Sequence, residues 1–230
     1  MQIVRDKVAL EVLEEGQRNL DPLLTEFSTT HILVGTAISL QLGHRRSIDF
    51  DLFCFGLQGS GTSLMQRIES SGCMFDLDTA PRFRYSDEEQ SELTLFFQIK
   101  VQLIDFSRNP FGVAVSLETN TMLFGGIASV SLLDLGALKI YAMMYRKKIK
   151  DIVDLYMILQ VPLHLFDIVQ RAEQIFGRLY NPESSYEAIF DDERDETEKV
   201  DRLIDFPPEM STIFASMRME VDKLLLHISS

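Results

Sequence analysis

The chain is short of positive charge. Lysine and arginine total 22 against 35 aspartates and glutamates, a formal net charge of −13. Surfaces that coat nucleic acid non-specifically are basic, so this balance argues against broad DNA binding but leaves room for a nucleotide or RNA at a local basic patch. Cysteine is scarce: there are only two, Cys54 and Cys73. Both lie among apolar neighbours and read as reduced core thiols of a cytoplasmic protein rather than a disulfide or a metal cluster. No apolar run approaches the ~18 residues a membrane helix needs, so no membrane partner is expected. The start, Met1-Gln2-Ile3-Val4-Arg5-Asp6-Lys7, runs straight into a charged helical pattern without the layout of a signal peptide. Internal repeats are lacking, and the acidic run from Asp191 to Glu196 reads as a solvated loop or helix face.

What is present fits a folded chain. With 230 residues, 46% hydrophobic and 25% charged, it can bury a real core as one large domain or two small ones. Its texture changes near residue 131. Short β-type runs dominate before that point and helical periodicity after it, which predicts an α+β chain: a mixed β-sheet with flanking helices over 1–131, then an all-helical domain over 132–230. Apolar residues at helical spacing (Ile3, Val4, Val8, Leu10, Val12, Leu13) predict an N-terminal helix, and Pro22 starts another. His31-Ile32-Leu33-Val34 reads as a buried strand, 37–42 as a helix closed by Gly43, and 48–53 as an alternating strand. A helix near 63–70 follows. Strands are predicted at 73–78, 82–85, 93–106, 112–117 and 127–130; the long run 93–106 contains a turn or bulge, or is one central strand. Ser131 and Asp134 have capping-box character and open helices over 132–148, 150–160, 163–180, 185–191 and 209–227, with breaks at Pro162 and Pro207-Pro208.

The chemistry concentrates in the first half. Asp49 and Asp51 stand two apart on one strand, so both face the same way while Phe50 and Leu52 face the core. Two carboxylates on one sheet face repel, and a divalent cation is the natural counter-charge. Magnesium suits such hard oxygen ligands and is readily shared with phosphates. Upstream, Gly35-Thr36 separates a strand from a helix start, where backbone N–H groups and the Thr36 hydroxyl can hold a phosphate. Asp105, at the end of a β-rich run, is the expected third carboxylate. In a two-metal arrangement it binds one ion and helps deprotonate the attacking hydroxyl, while Asp49 and Asp51 bridge both ions. A second Asp-x-Asp, Asp76 and Asp78, lacks the glycine turn and helix upstream and reads as a decoy.

The run Leu33-Val34-Gly35-Thr36-Ala37, through Gly43-His44-Arg45-Arg46-Ser47 to Asp49-Phe50-Asp51-Leu52-Phe53, resembles the AbiEii/AbiGii toxin family of nucleotidyltransferases. Members typically show a Gly-Gly-Thr-Ala-Leu turn, a Gly-His-Arg-x-Ser link and an Asp-x-Asp-x-Phe strand. The stretch from Asp105 to Pro110 resembles the strand end that carries the family's third carboxylate. The stretch from Leu133 to Lys139, with Arg146 to Tyr156, resembles its lysine helix and the Lys-Asp-x-x-Asp-Leu helix after it. The likeness spans about residues 30 to 160, and it departs at Val34, where the family usually has its first glycine. The resemblance implies a fold like the DNA polymerase β nucleotidyltransferases, magnesium, a nucleoside triphosphate, and a toxin with a cognate antitoxin in a toxin–antitoxin or abortive-infection system. Some members are similar to enzymes that add nucleotides to tRNA ends, which makes RNA a candidate acceptor.

Several residues have two readings. Lys139 and Arg146, seven apart on a predicted helix, are surface charges on periodicity alone; the resemblance makes Lys139 a ligand of the triphosphate and Arg146 its support. Asp151 either joins the site or serves the helix dipole, and Asp154 anchors the helix or pairs with Arg146. Arg46 can contact phosphate and Ser47 can orient the turn, or both belong to a solvated loop. The basic group Arg146, Lys147, Lys148 and Lys150 can touch RNA or simply answer a helix dipole. The expected activity is magnesium-dependent transfer of a nucleoside monophosphate to a hydroxyl. The rivals are a catalytically degenerate binding or regulatory protein, and a nucleotidyltransferase for a small molecule such as an antibiotic.

Overall fold

The computed structural model describes residues 8–28, 31–47, 49–54, 84–86, 92–96, 100–105, 119–191 and 208–228. The helix expected at 63–70, the strands at 73–78 and 112–117, Cys73, the Asp76/Asp78 pair and the acidic run beyond Asp191 lie outside these residues. The described residues form two compact units, one within 7–131 and the other from 132 onward.

The first unit is built on a mixed seven-stranded sheet in the order β3-β4-β5-β2-β1-β7-β6. The strands are β1 (His31–Leu33), β2 (Asp49–Cys54), β3 (Arg84–Ser86), β4 (Glu92–Phe96), β5 (Lys100–Asp105), β6 (Thr119–Met122) and β7 (Ala128–Val130). Central β2 runs antiparallel to β1 and parallel to β5. The run expected as one interrupted strand over 93–106 is two antiparallel strands, β4 and β5, with Phe96 opposite Lys100. β6 was not legible as a strand: its sequence, Thr-Asn-Thr-Met, has little alternation.

Among the described residues three α-helices accompany the sheet: α1 (Glu15–Arg18), α2 (Asp21–Phe27) and α3 (Gly35–Leu42). Pro22 falls in the first turn of α2, whose Leu23, Leu24 and Phe27 are buried. The segment before α1 packs along the site's framework. Ala9 N–H donates to the Leu40 carbonyl (2.8 Å), and Leu13 forms a parallel bridge with Ser47. In place of one N-terminal helix, the described part of this segment has a 3-10 turn at Leu10–Val12 and then α1.

The second unit is helical, as the periodicity predicts: α4 (Leu132–Met143), α5 (Ile149–Ile158), α6 (Leu165–Phe176), α7 (Pro182–Phe190) and α8 (Met210–Ile228). In α8, Ile213, Met217, Val221 and Leu224 are buried at helical spacing. α6 buries Leu165, Ile168, Val169, Ala172, Ile175 and Phe176. Each fully buried aliphatic side chain contributes about 1.5–3 kcal/mol of hydrophobic stabilisation. Gly136 lets α4 and α6 approach, because a Cβ there would lie 3.0 Å from Ile168 Cδ1. Asp134 pairs with Arg171 of α6 at 2.5 Å, an inter-helix tie beyond the capping expected of it. α7 starts earlier than expected. The signal was Asn181-Pro182: Asn181 Oδ1 accepts from the N–H groups of Glu183 (3.0 Å) and Ser184 (3.4 Å), with proline in the first turn.

That cap gives a direct test. Asn181→Ala is expected to lower unfolding free energy in urea by about 1 kcal/mol, and Asn181→Asp to restore most of it.

Candidate active site

The β1–β2 register sets the geometry of the first cluster. Leu33 lies opposite Leu52, and one step further the Val34 N–H donates to the Asp51 carbonyl at 3.0 Å. The chain then turns directly into α3 at Gly35. Along β2, Phe50 and Leu52 are fully buried while Asp49 and Asp51 are half-buried, so the strand divides into a packing face and a carboxylate face.

Gly35 answers a close approach. A Cβ built there would sit 2.7 Å from Asp51 Oδ2, so the Asp51 carboxylate occupies the space a side chain would need. The first amides of α3 have no partners inside the helix and present its positive end. The carboxylate and the helix start thus form a cradle in which a side chain at position 35 would force the Asp51 carboxylate to move. At Val34, φ is −117° and ψ −81°; the negative φ lies within the range open to any residue, so the backbone does not demand the family's glycine there.

Thr36 is buried. Its hydroxyl donates to the Asp49 carbonyl in a very short hydrogen bond and lies 2.8 Å from Ser47 Oγ. The hydroxyl therefore braces the start of β2 from within and is not at a surface where a phosphate would lie. Ser47 is also buried, its N–H donating to the Val12 carbonyl at 3.4 Å. Arg46 is exposed. Asp105 ends β5, beside β2, in register with Cys54 and so three residues beyond Asp51. That register gives position 105 the parity of Leu52 and Cys54 along the sheet, alternating with Asp49 and Asp51.

The second cluster belongs to the helical unit. Lys139 of α4 is buried, with Nζ 2.9 Å from Asp151 Oδ1 and 3.0 Å from Asp154 Oδ2. Both acids, on α5, are fully buried. Arg146 binds Asp151 through two hydrogen bonds, Nε to Oδ2 at 2.8 Å and a terminal nitrogen to Oδ1 at 3.0 Å. Its side chain remains 48% exposed. Burial pushes the Asp151 carboxyl up, but the Lys139 charge and the hydrogen bonds and charge of Arg146 outweigh it and hold the carboxyl below its ordinary value. The ion pairs place Asp154 on Lys139 and Arg146 on Asp151, so Asp154 ties α5 to α4, the anchoring alternative of the two expected for it. Helical spacing could not show this, because α4 ends at Met143 and the turn after it brings Arg146 back to α5.

Asp49 and Asp51 fit a hard divalent cation: both are aspartates on one strand face, and Gly35 keeps space clear beside one of them. Among the described residues no helix is long and apolar enough to cross a membrane.

The fold and this carboxylate strand define the class: an α+β nucleotidyltransferase followed by a helical region. The profile of the nucleotidyl transferase AbiEii toxins of type IV toxin–antitoxin systems matches residues 35–223, and the chain belongs to that family. In fold it is similar to JHP933 from Helicobacter pylori, with a TM-score of 0.52 at 14% identity over 94% of this chain and 98% of that one. It is also similar to MenT4, a nucleotidyltransferase toxin from Mycobacterium tuberculosis, with a TM-score of 0.55 at 13% identity over 92% of this chain and 83% of that one. No curated protein matches the chain in sequence.

Two outcomes follow from the geometry. Gly35→Ala is expected to displace the Asp51 carboxylate and weaken magnesium binding, read by titration calorimetry, by about tenfold or more. Because the folded state favours ionised Asp151, its contribution to stability is fully present above the ordinary carboxylate value of 3.8. It is lost as pH falls through the lower, folded-state value. Urea unfolding at a series of pH values should show that acid loss in the wild type. Asp151→Asn should flatten it and cost about 3 kcal/mol at neutral pH, since it strips a buried cation of one partner.

Proposed function

We propose that this enzyme transfers a nucleoside monophosphate from a nucleoside triphosphate to a hydroxyl acceptor, with magnesium held by Asp49 and Asp51; position 105, out of phase with them along the sheet, is not assigned to the metal. The observation that supports it best is the Asp51 carboxylate lodged against Gly35 at the start of α3, where metal ligand and phosphate-binding amides adjoin. Bound magnesium, in a two-ion arrangement, would neutralise the phosphates and lower the barrier to ionising the acceptor hydroxyl. The chain's own groups do the rest. The Gly35 and Thr36 amides hold phosphate oxygens, while the Thr36 hydroxyl and Ser47 fix β2 so that both carboxylates stay in place. Arg46 is assigned to the phosphates. Lys139 is assigned to the triphosphate, steered by Asp151 and Asp154, with Arg146 supporting Asp151. The acceptor oxygen bonds to the α-phosphorus as the α–β bridge breaks, pyrophosphate leaves with that electron pair, and the hydroxyl proton passes to a carboxylate of the site. Positioning and charge neutralisation supply most of the rate.

The acceptor in this reading is RNA, with tRNA the leading candidate, and the partner is a cognate antitoxin. The Val34 backbone gives no support to a degenerate, non-catalytic member. Incubation with each labelled triphosphate, magnesium and total RNA is expected to label RNA. Asp51→Ala should reduce transfer by more than the ~10–100-fold that losing an outer-shell partner costs. Labelling of an aminoglycoside instead of RNA would move the acceptor to small molecules, and no transfer to either would remove the enzymatic reading.

A further inference from the structure

The chain's charge is unevenly placed. Between Asp134 and Asp151 there is no acidic residue, while Lys139, Arg146, Lys147, Lys148 and Lys150 supply five positive charges in a chain of net −13. Three of the five, Arg146 to Lys148, follow directly on Tyr145 in the turn from α4 to α5, and Lys150 lies in the first turn of α5. Tyr145 is 63% exposed. It is nonetheless well supported. Its ring centroid lies 5.2 Å from that of buried Tyr141, tilted by 57°, and Tyr141 stacks on buried Phe176 at 3.7 Å with 10° between planes. The next residue, Arg146, is pinned to buried Asp151 by two hydrogen bonds. A ladder of rings from the core and an anchored guanidinium thus hold one aromatic side chain at the surface, at the head of a basic run.

We propose that Tyr145 is a stacking platform for a base of the single-stranded nucleic acid that serves as acceptor, with Lys147, Lys148 and Lys150 meeting its phosphates. This rests on the reading that the acceptor is a nucleic-acid strand. Stacking on an aromatic ring beside a basic track is how single strands are held without sequence selection, since every base presents a π-face. Successive cations suit a strand with successive phosphates, and a segment without acids is where a polyanion can approach an otherwise acidic chain. The Lys147–Asp191 pair, 2.5 Å apart, does not oppose this: both partners reach solvent, and such exposed pairs are weak enough for a phosphate to replace the carboxylate.

The test is fluorescence anisotropy of a short labelled single-stranded RNA on the full chain. Tyr145→Ala is expected to weaken binding about tenfold, Tyr145→Phe to leave it near wild type, and Lys148→Ala to flatten the salt dependence. Thermal melting of Tyr145→Ala should match wild type, because the ring is mostly exposed. The proposal is overturned if the wild type binds no strand, if Tyr145→Ala binds as well as wild type, or if free ATP loses as much affinity as the strand. Asp51→Ala separates this from the catalytic reading: it should keep Tyr145-dependent binding while losing transfer. If the wild type transfers nothing but binds RNA through Tyr145, the platform stands and the enzymatic reading fails. Transfer that is indifferent to Tyr145 removes the platform alone.

Discussion

An oxygen of Asp51 occupies the volume that any side chain at position 35 would fill, and the candidate site depends on that contact. It follows from strand register. Pairing Leu33 with Leu52 brings the start of α3 against Asp51, and the Val34 N–H on the Asp51 carbonyl holds it there. A helix N-terminus beside carboxylates is electrostatically favourable, because the amide ends carry partial positive charge. The same end can receive phosphates. Glycine serves here as clearance, and Thr36 serves as a brace, its hydroxyl closing on Ser47 and the Asp49 carbonyl behind the carboxylate face.

The helical unit meets a different constraint. On α5 it buries the carboxylates of Asp151 and Asp154 completely, which is tolerable only if each is matched and hydrogen-bonded. Lys139 satisfies both acids, and Arg146 adds two hydrogen bonds to Asp151, so two cations balance two anions across α4, the turn and α5. Such a network adds little net stability over an apolar core but penalises any shift that separates its members. It therefore fixes the position of Lys139, and of the turn that follows Tyr145, more firmly than a greasy contact would.

How much of this was legible depended on whether the information was local. The β1–α3–β2 unit was, because strand alternation, the Gly35 turn and the Gly43 cap with φ of 65° are short-range signals. The helical half was also legible in kind, from apolar spacing. The split of 93–106 into β4 and β5 was open, since an apolar run reads alike as one strand or a hairpin. Partners distant in sequence were not legible. Asp154 reaching Lys139 across 15 positions and Arg171 reaching Asp134 depend on how helices pack, which spacing within one helix does not encode. The bond of the Thr36 hydroxyl was not legible for a related reason: its residue type suits a phosphate site, but β2 lies on its side of the helix and takes the bond.

Val34 shows what the fold does and does not require of this turn. A glycine is compelled where φ is positive or where a side chain has no room, and position 34 meets neither condition on its backbone, with φ of −117°. Its N–H makes the bond to Asp51 that any residue except proline could make. The side chain is nearly buried, adding apolar packing directly before the helix start. Position 35 is the opposite case: its backbone is unremarkable, yet a methyl group there would displace the Asp51 carboxylate. Of two neighbouring positions at which the family pattern has glycine, only the second is held by sterics in this chain. Replacement of the first therefore leaves the carboxylate cradle intact.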